Sequence, residues 1–352
     1  MKVLITGGAG FVGSNLAIKL KNDKKYQVIA FDNLKRRGSE LNIFRLIKNG
    51  VEFIHGDIRN REDFEDIGKV DAIIECSAEP SVLAGLTSSP YYLINTNLFG
   101  TVNCLEYARK CDADMIFLST SRVYPVKTIN TMNFTETASR FELTEEQNIA
   151  GASSNGYTEE FPLEGSRTLY GATKLASELL LQEYIETYGL RAVINRCGIL
   201  TGSWQMGKVD QGVVVLWVAK HYFNKPLSYI GFGGRGKQVR DMLHVEDLYR
   251  LLEIQINDIQ RHNGEIYNVG GGLERAASLL ELTAFCQKYT GNKIPINSIY
   301  EDRPGDIRIY ITDNSKVSKN TGWQPIITID QIIKEIYFWI KENEETLRPI
   351  LA

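Results

Sequence analysis

Five short, mostly apolar runs punctuate the first 120 residues, each closing on polar or turn-forming residues. They are KVLIT (2–6), QVIAF (27–31), VEFIH (51–55), DAIIE (71–75) and DMIFL (114–118). Such runs are too short for helices and read as strands buried on both faces. Between them lie helical patterns, notably YYLINTNLFGTVNCLEYARK (91–110), whose apolar residues recur at helical spacing. Strands alternating with helices predict a doubly wound α/β architecture, a parallel sheet covered on both sides. The stretch 125–166 is polar, rich in Ser and Thr and weakly periodic, and is read as a long surface excursion. Helical periodicity returns at 169–189 and a strand follows at 191–196. The remainder is less regular, with glycine punctuation at 231–236 and 269–272 and helices at 245–257, 277–289 and about 329–343. A smaller α+β portion is expected there.

Composition narrows the picture. The chain has 352 residues, enough for one or two domains, with 43% hydrophobic and 24% charged residues. A net charge of −3 gives no electrostatic case for nucleic acid or an anionic membrane. No apolar run is long enough to span a bilayer. The N-terminus passes straight into a strand and a glycine cluster and reads as no signal peptide. Five scattered cysteines without a C-x-x-C pair suggest reduced thiols and a cytoplasmic location. Four histidines without ligand spacing give no reason to expect a metal.

TGGAGFVGSNLA places Gly7, Gly10 and Gly13 between the first strand and the first helix. The glycines serve a tight turn, close approach to a pyrophosphate and close helix–sheet contact, and the helix start offers free N–H groups. Asp32 closes the second strand, 19 residues beyond Gly13, where a carboxylate can accept from the ribose hydroxyls of NAD and repel a 2′-phosphate. Lys35, Arg36 and Arg37 follow and could compensate such a phosphate. The acid at the strand tip stands closer, which favours NAD. Asp57, in HGDI (55–58), follows the third strand, where it could meet the adenine or cap the strand.

LSTSRVYP (118–125) ends an apolar strand in three hydroxyl residues. Farther on, Tyr170 and Lys174 stand four apart on one helix face. Bringing a tyrosine three units down from 10 requires about 4 kcal/mol of preferential phenolate stabilisation. A neighbouring ammonium and an oxidised nicotinamide, both positive, are suited to this. A Tyr-x-x-x-Lys spacing is common on helices. Here the glycine loop, acid and hydroxyl cluster precede it in order.

On TGGAGFVG (6–13), Asp32, HGDI, TNLFGT (96–101), STSRVY (119–124), YGATK (170–174), RDMLHVED (240–247) and RPGDIR (303–308), the chain resembles the extended short-chain dehydrogenase/reductase family. The resemblance implies a Rossmann-like NAD domain over 1–175, completed by a strand near 190–197, and a partly interleaved nucleotide-sugar domain over 176–352. It implies chemistry by transient hydride removal, with NAD tightly bound and recycled. Tyr170 would be the base, Lys174 would hold the nicotinamide ribose and lower the tyrosine pKa, and Thr120 would bond the reacting oxygen. Gly7, Gly10, Phe11, Val12, Gly13, Asp32, Asn33, Arg36, Asp57, Ile58, Ser77, Ala78, Asn97, Ser119, Tyr170, Lys174 and Cys197 would line the cofactor. ECSAEP (75–80) departs from the family pattern, since relatives commonly begin this segment with histidine, and Glu79 is unusual.

In the family's 4,6-dehydratases the threonine is followed by Asp and Glu, an acid–base pair that eliminates water. Here Ser121 and Arg122 stand in those places. Serine is too weak an acid or base, and arginine stays protonated. That pattern suits an epimerase. DQG (210–212), GKQVRD (236–241) and FDNLKRRG (31–38) resemble the CDP-tyvelose (CDP-paratose) 2-epimerase subfamily, with Thr-Ser-Arg replacing its Thr-Asn-Lys. The resemblance makes Arg240 and Arg303 pyrophosphate clamps and Asp210 and Gln211 readers of the base. Glu79, Thr120, Ser121 and Arg122 complete the expected substrate contacts. The expected substrate is a CDP-hexose and the expected assembly a homodimer or homotetramer. A UDP-sugar 4-epimerase and a non-catalytic NAD-binding protein are the alternatives.

Overall fold

A computed structural model describes residues 1–208 and 211–352. The chain separates into two compact units, one formed by 1–123, 169–197 and 248–267, the other by 124–168, 198–247 and 268–352. The expected boundary at 175/176 falls inside helix Leu169–Tyr188, whose packing on the sheet keeps it in the first unit.

The first unit is built on a seven-stranded sheet. Its strands are β1 (Lys2–Thr6), β2 (Gln27–Asp32), β3 (Glu52–His55), β4 (Ala72–Glu75), β5 (Asp114–Thr120), β6 (Ala192–Cys197) and β7 (Ile266–Val269), in the order β7-β6-β5-β4-β1-β2-β3. The pairs from β6 to β3 are parallel. Helix α1 (Phe11–Lys24) lies against β1 and β2, and α2 (Leu41–Lys48) against β3. On the other face lie α3 (Gly100–Cys111) and α4 (Leu169–Tyr188).

Register makes that face legible. Leu4, Ile73, Met115 and Ala192 form one rung, and Thr6, Glu75, Phe117 and Ile194 the next. Ser119 and Arg196 follow. Side chains two apart share a face, so an apolar floor under Leu105, Ala108 and Leu181 turns polar toward the carboxyl ends of the strands. The predicted helix 91–110 is three segments: Tyr91–Ile94, a π turn at Asn95–Phe99, then α3.

In the second unit, strand Val239–His244 pairs with Ile199–Thr201, Ala276–Ser278 and Ile309–Tyr310, and Leu227–Ile230 pairs with Ile296–Ile299. Helices Val213–Tyr222, Leu279–Thr290 and Ile329–Glu342 pack together. The last two start in capping boxes, Ser278 with Glu281 and Thr328 with Gln331, each satisfying two helix-start donors. A further helix, Glu344–Leu351, follows the one expected to be last.

The polar stretch 125–166 is not simply a surface excursion. It holds a short helix, Val126–Asn130, and two hairpins. Its Tyr157 and Phe161 are buried, and Tyr157 stacks on Tyr310 with ring centroids 5.3 Å apart. A few aromatic anchors hold a segment whose average composition is polar. Among the described residues no helix is long and apolar enough to cross a membrane.

Candidate active site

The carboxyl end of β1 leads into the glycine loop. Gly7 takes φ +64°, and a side chain there would meet the Cys76 carbonyl at 2.9 Å. A Cβ on Gly13 would lie 2.3 Å from the Gly7 oxygen. Gly10 is the N-cap of α1 and offers no side chain to its first turn, so the N–H groups at Phe11, Val12 and Gly13 remain for a ligand. Bare glycines and unspent helix-start donors fit a pyrophosphate.

Asp32 ends β2. Its Oδ1 accepts from the Leu34 N–H at 2.7 Å and its Oδ2 from the Ala9 N–H at 3.1 Å. Burial raises its pKa against the pull of these amides. An ionised carboxylate has lone pairs to spare beyond those two, as ribose hydroxyls require. Asn33 donates to Asp57 at 2.8 Å, and the Arg59 Nε reaches the same carboxylate at 2.9 Å. Burial works to raise Asp57, but the bonds from Arg59 and Asn33 prevail and hold it below the usual value. Ile58 packs where α3 begins, its Cδ1 filling the space a Gly100 side chain would need. The Arg36 carbonyl accepts from the Ser39 amide at 3.0 Å.

Beyond β4, half-buried Ser77, Ala78 and Glu79 form a loop held from the π turn. Asn97, wholly buried, accepts from the Glu79 N–H at 2.7 Å and donates to the Glu79 carbonyl at 3.1 Å and to Thr173 at 3.2 Å. The Glu79 carboxylate turns onto the Ser81 N–H at 3.2 Å.

Thr120 ends β5, and Tyr170 and Lys174 lie one turn apart on α4. Burial pushes Tyr170 up to about 12, while a hydrogen bond with Thr120 and the charge of Arg122 draw it down. Arg122 and Ser121 sit in a 3₁₀ turn, and the Arg122 N–H donates to the Thr120 hydroxyl at 3.2 Å. The Lys174 ammonium lies 3.4 Å from Glu75. Cys197 pairs with Thr120 in register, and burial holds its thiol up at about 12.

The Ser119 hydroxyl donates to Glu178, which Arg196 grips at 2.7 and 3.1 Å, with both charged side chains buried. Neither this pair nor Glu75 was found from the sequence. The signal was present: charges closing the buried strands AIIE and AVINRC demand partners.

In the second unit, Arg240 and Arg303 converge on Asp306, at 3.0 Å to Oδ1 and 3.3 Å to Oδ2. Arg240 also donates to the Val239 carbonyl at 2.7 Å and to that of Ile307. The backbone of Gln211 pairs with Lys208. Asp210 lies outside the described residues.

A glycine loop, an acid at the next strand tip and a threonine–tyrosine–lysine group at one end of a parallel sheet define a dinucleotide-dependent enzyme of the Rossmann type. The sequence profile of the NAD dependent epimerase/dehydratase family matches residues 3–270, and the chain belongs to that family. NAD is its cofactor. The chain is 31% identical to the CDP-paratose 2-epimerase of Salmonella typhi, covering 96% of this chain and 99% of the relative. It is 29% identical to a dTDP-glucose 4,6-dehydratase of Salmonella typhimurium, covering 99% and 95%. Among solved structures, UDP-glucuronic acid 4-epimerase from Bacillus cereus, in complex with UDP-glucuronic acid and NAD, superposes with a TM-score of 0.76 at 25% identity, covering 97% and 99%.

Proposed function

We propose that this enzyme inverts C2 of a CDP-activated hexose or deoxyhexose, of the kind found in cell-surface polysaccharide, through a transient ketone. The observation that carries the reading is the pair after Thr120. Eliminating water needs a carboxylate and a carboxylic acid beside the sugar. Ser121 and Arg122 supply neither, and the Arg122 amide is tied to the Thr120 hydroxyl. An alcohol-lined turn suffices when a carbinol is only oxidised and reduced again. The similarity to a CDP-paratose 2-epimerase over nearly the whole chain supports the same reading.

NAD, when bound, would supply a reversible hydride acceptor. Tyr170, bonded to Thr120 and drawn down from its raised value by the positive charge of a bound oxidised nicotinamide, takes the proton of the reacting hydroxyl and gives it back, while Thr120 orients that oxygen. Lys174 holds the nicotinamide ribose. The N–H groups at Phe11, Val12 and Gly13 receive the pyrophosphate of NAD, and Asp32 the adenosine ribose. Arg240 and Arg303, gathered on Asp306, are assigned to the diphosphate of the sugar nucleotide, because guanidinium groups bind phosphate oxygens in pairs. Asp210 and Gln211 are assigned to the base. The enzyme works in the cytoplasm as a homodimer or homotetramer and keeps its NAD between turnovers.

The test is a CDP-hexose deuterated at C2, followed by NMR without added NAD. The product should be inverted at C2, keep most of its label and show no exchange at C5. A 4-keto-6-deoxy product or solvent hydrogen at C5 would overturn the epimerase reading. Label migration at C4 would identify a 4-epimerase instead.

A further inference from the structure

β4 is a buried strand that ends on a charge. Glu75 has no exposed surface and follows Ala72, Ile73 and Ile74, which are also buried. A lone buried carboxylate is costly unless a partner compensates it. Register sets Glu75 between Thr6 and Phe117 on the face that α4 covers. There the Lys174 Nζ lies 3.4 Å from Glu75 Oε2 and 3.8 Å from the centroid of the Phe117 ring. The Lys174 side chain is 2% exposed. Glu75 Oε1 is buried without a hydrogen-bond partner among the described residues, as is Thr6 Oγ1. Glu75 also adjoins the glycine loop, since it precedes Cys76, whose carbonyl closes against Gly7.

We infer that Glu75 is a positioning residue of the cofactor site: its carboxylate is the buried counter-ion that fixes the Lys174 ammonium on the Phe117 ring and offsets that cation beside an oxidised nicotinamide. Two like charges in a buried site repel strongly. Burial raises the Glu75 pKa, while the charge and hydrogen bond of Lys174 and the Ser77 amide draw it back down; with Glu75 ionised against that ammonium, Lys174 presents a compensated charge. The reduced nicotinamide is neutral and needs no such compensation. Glu75 therefore favours the oxidised cofactor over the reduced one. Around the pair stand Tyr170 from α4, Cys76 on the same stretch and Cys104 from α3. Burial holds both thiols neutral, which leaves Glu75 and Lys174 to set the balance. The inference rests on NAD and not on the sugar or the carbon inverted, so it and the labelling experiment fail separately.

The test compares the purified enzyme with Glu75→Gln, which keeps the shape and removes the charge. Each protein is equilibrated with equal concentrations of NAD⁺ and NADH, re-isolated, and its bound nucleotides quantified. The bound NAD⁺ to NADH ratio should fall at least tenfold in the variant, the change that one charge about 12 Å from the ring produces at an effective dielectric of about 20. Glu75→Asp should recover much of the ratio. Glu75→Gln combined with Lys174→Met removes both charges, keeps the buried site neutral where Glu75→Gln alone fails to fold, and should return the ratio toward wild type. A ratio unchanged in Glu75→Gln, or a double variant that fails to move back from the single one, would overturn the inference and leave Glu75 a packing residue.

Discussion

Asn97 grips the backbone of Glu79 with both ends of its amide, accepting from the N–H at 2.7 Å and donating to the carbonyl at 3.1 Å. Asn97 lies in the π turn Asn95–Phe99, an irregularity of the kind frequent at functional sites. Asn97→Ala strands a buried donor and a buried acceptor, each worth about 1–3 kcal/mol. Chemical denaturation should show a loss of about 2–4 kcal/mol. NAD affinity should fall as well, since Ser77 and Ala78 lose the anchor of their loop. A variant as stable as wild type would show that the loop is held by other contacts.

Tyr170→Phe removes one oxygen. Turnover should fall ~10²–10⁴-fold, the usual share of a positioned acid–base group, while bound NAD is retained. The alkaline behaviour follows from the shift. Unfolded tyrosine ionises near 10 and Tyr170 in the fold at about 12. Its stabilising share is complete below about pH 10 and is lost as pH rises through 12. The phenylalanine variant should therefore lose stability less steeply across that window, measured by unfolding at a series of pH values.

At Gly13 an alanine Cβ would stand 2.3 Å from the Gly7 carbonyl oxygen, a backbone atom with little freedom to yield. Gly13→Ala should cost about 1–3 kcal/mol, typical of overpacking, and should release NAD on purification. Chemical denaturation reports the first, and absorbance of the denatured supernatant the second. Retention of a full complement of NAD would mean that the loop can shift.

The readable parts of this chain are those where chemistry is local. β1 runs from Lys2 to Thr6 as its apolar run implies, and α4 brings Tyr170 and Lys174 to one face as their spacing implies. Partners far apart in sequence were not readable. Glu75 meets Lys174 across 99 residues, and Ser119 meets Glu178 and, through it, Arg196 only once β5, β6 and α4 are assembled. The π turn was hidden because its extra residue shifts the apolar spacing over one turn only, within a run that is helical on both sides. In 125–166, Tyr157 and Phe161 were outweighed by the polar residues around them, although those two rings anchor the segment.

Cofactor choice rests on Asp32, whose two oxygens already take the Leu34 and Ala9 amides. Further acceptance from ribose hydroxyls needs the ionised form, and the same charge repels a 2′-phosphate. Asp32→Asn gives up the charge and one acceptor, and its NH₂ must face a backbone N–H. Hydrogen bonds to a charged group contribute about 1.5–3 kcal/mol, so NAD affinity should fall about 10- to 100-fold. NADP should gain relative to NAD, with Lys35, Arg36 and Arg37 close in sequence to receive a phosphate. Acidification should imitate the substitution. Burial raises Asp32 above the ordinary 3.8, so it takes up its proton at a higher pH than a free aspartate. NAD affinity of the wild type should decline as pH falls toward that raised value, whereas the asparagine variant should show no such step. Calorimetric titration with NAD and NADP across the acid range checks both. Wild-type and variant curves that decline in parallel would remove Asp32 from the cofactor site.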